Sequence, residues 1–232
     1  MAAFEKLSAI FSQTSFNRQR YYESRHPFWV IVQKEIMDHI NSWRFVILLA
    51  LMFLTTIASL YTAMSSLQSA LSEDTSTSFV FLKLFTATDG TLPPFITFVS
   101  LLGPIIGIAL GFDAVNSERS RGTLSRLLAQ PIPRDYIINA KLVSSLLVVT
   151  IMIITLGLSM IGFGILLTGI PPTPEEFWRI FFFLLVSIVY IGVWLNLAIM
   201  FSIKFKQAAT SALSSLAVWL FFSLFFSMIV NI

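Results

Sequence analysis

Long apolar runs, separated by short polar stretches, dominate the chain. Five runs contain no Asp, Glu, Lys, Arg or His: residues 45–64, 95–112, 142–169, 180–203 and 208–232. A helix needs about 20 mostly apolar residues to cross a hydrocarbon core of roughly 30 Å, and these runs are close to that length or longer. Strands of a membrane barrel would instead show short alternating segments of about 10 residues. The runs are continuous, so the pattern predicts helices, which satisfy their own backbone in lipid. The expected fold is therefore an all-α membrane protein, a polytopic helical bundle with five spans in residues 44–232. The third run would be about 42 Å long as a helix, more than a bilayer core, and is expected to tilt or to project beyond it.

The polar stretches add detail. Residues 1–26 are mixed and polar, and lack the apolar core and small-residue cleavage site of a signal peptide. In residues 27–43, Trp29, Val32, Ile36, Ile40 and Trp43 recur at helical spacing. Lys34, Asp38, Asn41 and Ser42 fall mainly on the other side, and Pro27 suits a first helical position. This pattern predicts an amphipathic helix preceding the spans. It lies in the membrane interface with its Trp at headgroup depth, or it packs on a partner subunit. The loop 65–94 is rich in Ser and Thr and holds a short apolar piece at 79–85. Between spans three and four, Pro171, Pro172 and Pro174 enforce a stiff turn. Glu175 and Glu176 beside it are expected to cap the next helix in solvent.

Composition supports the membrane assignment. Hydrophobic residues make up 56% of the chain and charged ones 12%, against about 25% charged in a soluble domain. With 23 Phe and a mean hydropathy of +0.83, neither a solvated surface nor disorder is available. There is no Cys, which excludes disulfides and thiolate metal sites. The charges then orient the bundle. Thirteen of the fifteen Lys and Arg fall before span one, between spans two and three, or after span four. Only Lys83 and Arg179 lie on the other side, with Glu73, Asp74, Asp89, Glu175 and Glu176. Such a bias places the N-terminus in the cytoplasm. The basic pI thus reflects topology and not nucleic-acid binding.

The spans also exclude chemistry. None holds an ionisable side chain, apart from Tyr. A charge buried in the bilayer costs about 2.5–3.5 kcal/mol or more and is usually kept for ion coupling or proton relay. Its absence argues against an ion-coupled carrier and against a charged-ring channel. Asn196 is expected to bond across helices rather than to touch substrate. His26 and His39 lack metal-ligand spacing, so no metal site is expected. No phosphate-binding Gly-x-x-x-x-Gly-Lys loop and no nucleophile elbow occur, so the chain is not expected to be an enzyme. In span two, Gly103, Gly107 and Gly111 form a small-residue stripe for close helix packing, within the subunit or against a second one. Pro104 beside it removes a backbone donor and is expected to kink the span.

The most informative stretch is the loop 113–141. Ser117 is expected to cap a helix that Glu118 begins. Leu124, Leu127 and Leu128 form a small apolar face at helical spacing, Arg119, Arg121 and Arg126 supply polar contacts, and Pro131 and Pro133 stop the helix. Pro133, Arg134 and Asp135 can start the next helix, which runs into span three. A short amphipathic helix results, held between two spans. Its apolar face rests on the bilayer interface or enters a groove on a partner.

Here the chain resembles a known family. Glu118, Gly122, Thr123, Leu124, Leu127, Leu128, Pro131, Ile132 and Arg134, followed by Ile137, Ile138 and Lys141, look like the signature of ABC-2 type permeases, the membrane subunits of ATP-binding-cassette exporters. The layout of an amphipathic helix before span one and a loop between spans two and three matches as well. The resemblance implies a non-catalytic permease subunit in a prokaryotic cytoplasmic membrane. It would pair with a second permease subunit, identical or homologous. It would bind no cofactor itself, since ATP and Mg belong to a separate ATP-binding subunit. Residues 118–131 would be the coupling helix docked on that subunit. Leu124, Leu127 and Leu128 would form its docking face, and Glu118, Arg119, Arg121 and Arg126 its polar contacts. Gly122 and Thr123 would shape its entry, and Pro131 and Arg134 its return into span three. Six spans per subunit are expected for the family, which places a sixth beyond Ile232. A membrane scaffold that recruits a soluble partner without transport is the competing expectation, and an ion-coupled carrier a weaker third. The sequence does not name the substrate.

Overall fold

The computed structural model describes residues 27–72, 80–88, 90–125, 129, 133–169 and 171–230. Among these, every regular element is helical: α1 Pro27–Ile40, α2 Trp43–Ser72, α3 Val80–Thr86, α4 Phe95–Gly111, α5 Asn116–Ser120, α6 Arg134–Thr168, α7 Pro174–Lys204 and α8 Ala208–Val230. Five of them, α2, α4, α6, α7 and α8, are long and apolar enough to cross a membrane. The five apolar runs thus become five spans, and the chain is an all-α polytopic bundle.

The most extensive helix contact among the described residues joins α4 to α7. A Cβ added at Gly107 would fall 2.7 Å from the Ile191 carbonyl oxygen, and one at Gly111 would fall 2.8 Å from that of Leu195. At Gly103 the nearest atom would be Ile191 Cγ1, at 2.9 Å. The stripe therefore lets two backbones touch within one subunit, where dispersion contacts replace the hydrophobic drive that lipid does not supply. Pro104 stays inside an uninterrupted α4. Proline has no N–H to give the carbonyl four residues back. That carbonyl belongs to Ser100, and it accepts instead from the Tyr190 hydroxyl of α7 at 3.1 Å. The main core, which includes Met52, Phe81, Leu84, Phe95, Ile106, Met152, Met160 and Ile191, fills the space among α2, α3, α4, α6 and α7.

Hydroxyls inside the spans are mostly satisfied by the preceding turn. Thr56 donates to the Met52 carbonyl, Thr150 to that of Leu146 and Ser187 to that of Phe183. This back-bonding keeps polar side chains tolerable in lipid without a partner helix. Asn196, expected to bond across helices, is instead on the exposed side of α7.

One element follows its expectation and two depart from it, for physical reasons. The long third run belongs to a 35-residue helix that starts at Arg134 with Pro133 as its N-cap, where the next helix was expected to begin. Its extra turns are covered by α1, which hides Ile137, Ala140 and Lys141. On α1 the packed face is turned by about one residue from the expected stripe. Val32 is buried and Ile36 half-buried, whereas Trp29, Ile40 and Trp43 are exposed. Glu35 is buried in their place, with Phe28, Ile31 and His39 half-buried beside it. A charged side chain on the inner face hides a helical stripe from a count of apolar positions. In the loop 65–94, the short apolar piece folds as α3, whose Phe81, Leu84 and Phe85 are buried in the bundle.

Glu176 secures α3. Thr173 is the N-cap of α7 and Pro174 its first residue, and Thr173 and Glu176 form a capping box. Glu176 is not solvated, however. It is 2% exposed, and its free carboxylate oxygen accepts from the Phe81 backbone N–H at 2.8 Å. Glu175 remains at the surface and pairs with Arg179.

Candidate functional site

The loop after α4 lies at the end of the bundle that carries α1 and most of the basic residues. It is tied down on three sides. Toward α2, the Arg44 guanidinium pairs with Asp113 and lies 5.3 Å from the centre of the Phe112 ring. Toward the end of α7, the buried Ser202 hydroxyl accepts the backbone N–H groups of Val115 and Asn116 at 3.0 and 3.3 Å. The Arg119 guanidinium donates to the Phe205 carbonyl at 3.1 Å. Toward α1 and α6, the Glu118 carboxylate lies 3.6 Å from the Lys141 ammonium and 3.7 Å from that of Lys34.

Backbone chemistry explains the local shape. The first helical N–H groups of α5 have no side-chain cap from their own N-cap residue, Val115. Ser117, expected as the cap, falls inside the first turn; Ser202 on α7 takes over two of these donors. The helix then stops after one turn. Gly122 has φ +69°, a left-handed conformation that glycine adopts without cost. It turns the chain back, so that the Thr123 N–H reaches the Glu118 carbonyl at 3.0 Å and the Thr123 hydroxyl bonds the Glu118 carboxylate. The expected continuous helix over 118–131 is thus broken at Gly122.

The expected site residues now have places. Glu118 points inward and is mostly buried. Arg119 is engaged by α7's end, and Arg121, Gly122 and Ser125 are exposed. Thr123 and Leu124 are half-buried. Arg134 opens α6. Arg126, Leu127, Leu128 and Pro131 lie outside the described residues, as do residues 1–26 with His26.

The centre of the site is a set of residues that the apolar pattern did not single out. Lys141 is buried, and its ammonium lies 2.9 Å from Glu35 Oε2. Lys34 bonds Glu35 and Asp38, each at 3.0 Å. Burial alone would lower the Lys34 ammonium, but the Asp38 and Glu35 carboxylates outweigh it and raise it above its usual value. The His39 ring lies 2.9 Å from the Ser145 hydroxyl, and burial lowers its imidazole below the usual value. A cavity of about 440 Å³ opens beside this cluster, lined by side chains of both signs that include Asp38, Arg44, Asp113 and Arg121. A signal for Glu35 did exist in the sequence. It stands four residues after Ile31 and three after Val32, in the middle of a helical face where a carboxylate needs a cation.

Five apolar spanning helices, joined at one end by a charge-lined loop and an amphipathic helix, define an integral membrane protein with its polar apparatus on one side. Comparison with known proteins names the class more closely. The chain belongs to the ABC-2 transporter family, whose model, described as "ABC-2 family transporter protein", matches residues 29–232. It is also similar to the "Probable ABC transporter permease protein NosY" of Stutzerimonas stutzeri. The two are 27% identical over 202 residues, which cover 87% of this chain and 68% of that protein. The chain is a transmembrane subunit of an ABC transporter.

Proposed function

We propose that this chain forms half of an export path through a prokaryotic cytoplasmic membrane, paired with a second permease subunit and driven by a separate ATP-binding subunit. The N-terminus is cytoplasmic in this reading, supported by the strong bias of Lys and Arg to one side. Trp29, Ile40 and Trp43, exposed along α1 and the start of α2, then lie at headgroup depth on the cytoplasmic face.

The observation that carries the proposal is the anchored loop. Three sets of contacts hold its first half against α2, α7 and α6, while Arg121, Gly122 and Ser125 stay exposed. A loop held in this way transmits a push instead of absorbing it. Leu124, Leu127 and Leu128 supply the apolar anchors that an ATPase cleft would take up, as helix-in-groove recognition requires. Nucleotide binding in the partner displaces the loop, and the loop displaces the spans it is tied to.

Leu127→Asp and Leu128→Asp place a carboxylate in that contact. Each is expected to abolish co-purification of the ATPase subunit from the native membrane while leaving insertion of the chain intact. Normal recruitment in both variants would overturn the docking claim. Reconstitution of the assembled complex separates transporter from scaffold: a scaffold hydrolyses ATP with no accompanying movement of the co-purified ligand.

A further inference from the structure

Four charged side chains from three elements meet at the basic end: Lys34 and Glu35 of α1, Glu118 of α5 and Lys141 of α6. Lys141 sits deepest, 5% exposed, with Glu35 Oε2 at 2.9 Å and Glu118 Oε1 at 3.6 Å. Lys34 closes the ring from the solvent side, 3.0 Å from Glu35 Oε1 and 3.7 Å from Glu118 Oε1. Within the ring two carboxylates balance two ammoniums, and the exposed Asp38 pairs with Lys34 from outside it at 3.0 Å. Buried ion networks of this kind seldom hold a fold better than apolar packing would, because desolvation consumes most of the attraction. What they do supply is a defined geometry between the elements that carry the charges.

We propose that Lys141 is a positioning residue: it sets where the loop segment beyond Ser120 stands, and ties that segment to α1 and α6 so that the three shift together. This rests on the coupling role proposed above. The chain of contacts runs through few atoms. Lys141 fixes the Glu118 carboxylate, Glu118 receives the Thr123 hydroxyl, and Thr123 precedes Leu124, the first residue of the proposed docking face. Glu35 carries the same fix into α1, more than one hundred residues earlier in the chain. The other anchors of the loop, Arg44 on Asp113, Ser202 on Val115 and Asn116, and Arg119 on Phe205, hold the start of α5 and do not involve Lys141. Removing the Lys141 charge should therefore free the distal part of the loop while its root stays in place.

Spin labels can read this, since the chain has no Cys of its own. Met37→Cys on α1 and Ser125→Cys on the loop put a label on each of two exposed positions. The pair is measured in the intact chain in lipid nanodiscs, without the ATPase subunit. The parent should give one narrow distance distribution. Lys141→Met should at least double its width, and Lys141→Arg, which keeps the charge, should restore the parent width. Since Lys141→Met leaves two carboxylates facing the single ammonium of Lys34, the triple variant Glu35→Gln, Glu118→Gln, Lys141→Met, in which Lys34 keeps Asp38, tests the same point with no unpaired charge, and should broaden as much. In the complex with the ATPase subunit, the triple variant should lose at least five-fold in ATP hydrolysis with its thermal midpoint unchanged. A parent-like width in the triple variant overturns the proposal, whatever its hydrolysis rate. Absence of any ATPase subunit from the purified parent would instead overturn the function proposed above, while the label widths would still decide the role of Lys141.

Discussion

His39 lies beside the charged cluster, in surroundings that favour its neutral ring. Burial depresses its imidazole below the ordinary 6.5; Lys141 adds to this, and Glu35, Asp113 and Asp38 oppose it. Because the folded form resists the proton, the unfolded chain takes it up first as the pH falls. Stability is therefore full above about pH 6.5 and declines below it, toward the lower folded value. His39→Gln keeps a polar partner for Ser145 but cannot titrate. Its Tm in detergent should change less than the parent's between about pH 7 and 5; equal slopes would contradict the assignment. Residues of this kind were hard to read from the sequence. His39 and Ser145 are 106 positions apart, as are Glu35 and Lys141. Neither pairing leaves a local trace, whereas the capping box at Thr173 and Glu176, three residues apart, follows from turn chemistry alone.

Helices were legible where their signal was periodic or continuous. The five spans followed from uninterrupted apolar runs, since lipid demands such runs. The start of α6 was legible too: Pro133, Arg134 and Asp135 make a helix beginning, and α1 then covers the turns that they open. The break at Gly122 was hidden: Leu124, Leu127 and Leu128 after it keep helical spacing, and Ser117 and Glu118 before it look like the start of the same helix. Packing of elements gives a sharp test at the α4–α7 contact. Overpacking a core usually costs about 1–3 kcal/mol. Gly107→Val should reach or exceed the top of that range, because the atoms it meets are backbone and cannot rotate aside. Gly162→Val is the control: nothing lies within 4 Å of a Cβ there. Thermal unfolding followed by size-exclusion chromatography in detergent should show a large loss for the first and little for the second. Equal losses would mean that α4 and α7 are not in contact as described.

The bundle as a unit has two unlike ends. One carries the ion cluster, the anchored loop and α1; the other carries the three-proline turn and α3, held by Glu176. The proposed orientation puts the first in the cytoplasm and the second outside. A cysteine-free chain makes this directly testable. With Thr86→Cys, an exposed position after the buried part of α3, a membrane-impermeant maleimide should label intact cells. With Ser125→Cys it should label only after the membrane is opened. The reverse result would invert the topology and remove the loop from reach of ATP. The unequal ends also explain why charge counting was informative here: the spans contribute no Asp, Glu, Lys or Arg, so nearly every such charge reports on a side.

The length of α6 has a mechanical consequence. Thirty-five residues make a rod of about 52 Å. It begins at the ion cluster, beside Lys141, and at its far end Gly164 lies against Phe81 and Leu84 of α3. A stiff rod turns angle into distance: tilting it by about 5° around its midpoint carries each tip roughly 2 Å, in opposite senses. Such a lever needs no chain of side-chain rearrangements between its ends. A displacement too small to break the ion ring at one surface is already comparable, at the other, to the slack in a hydrogen bond.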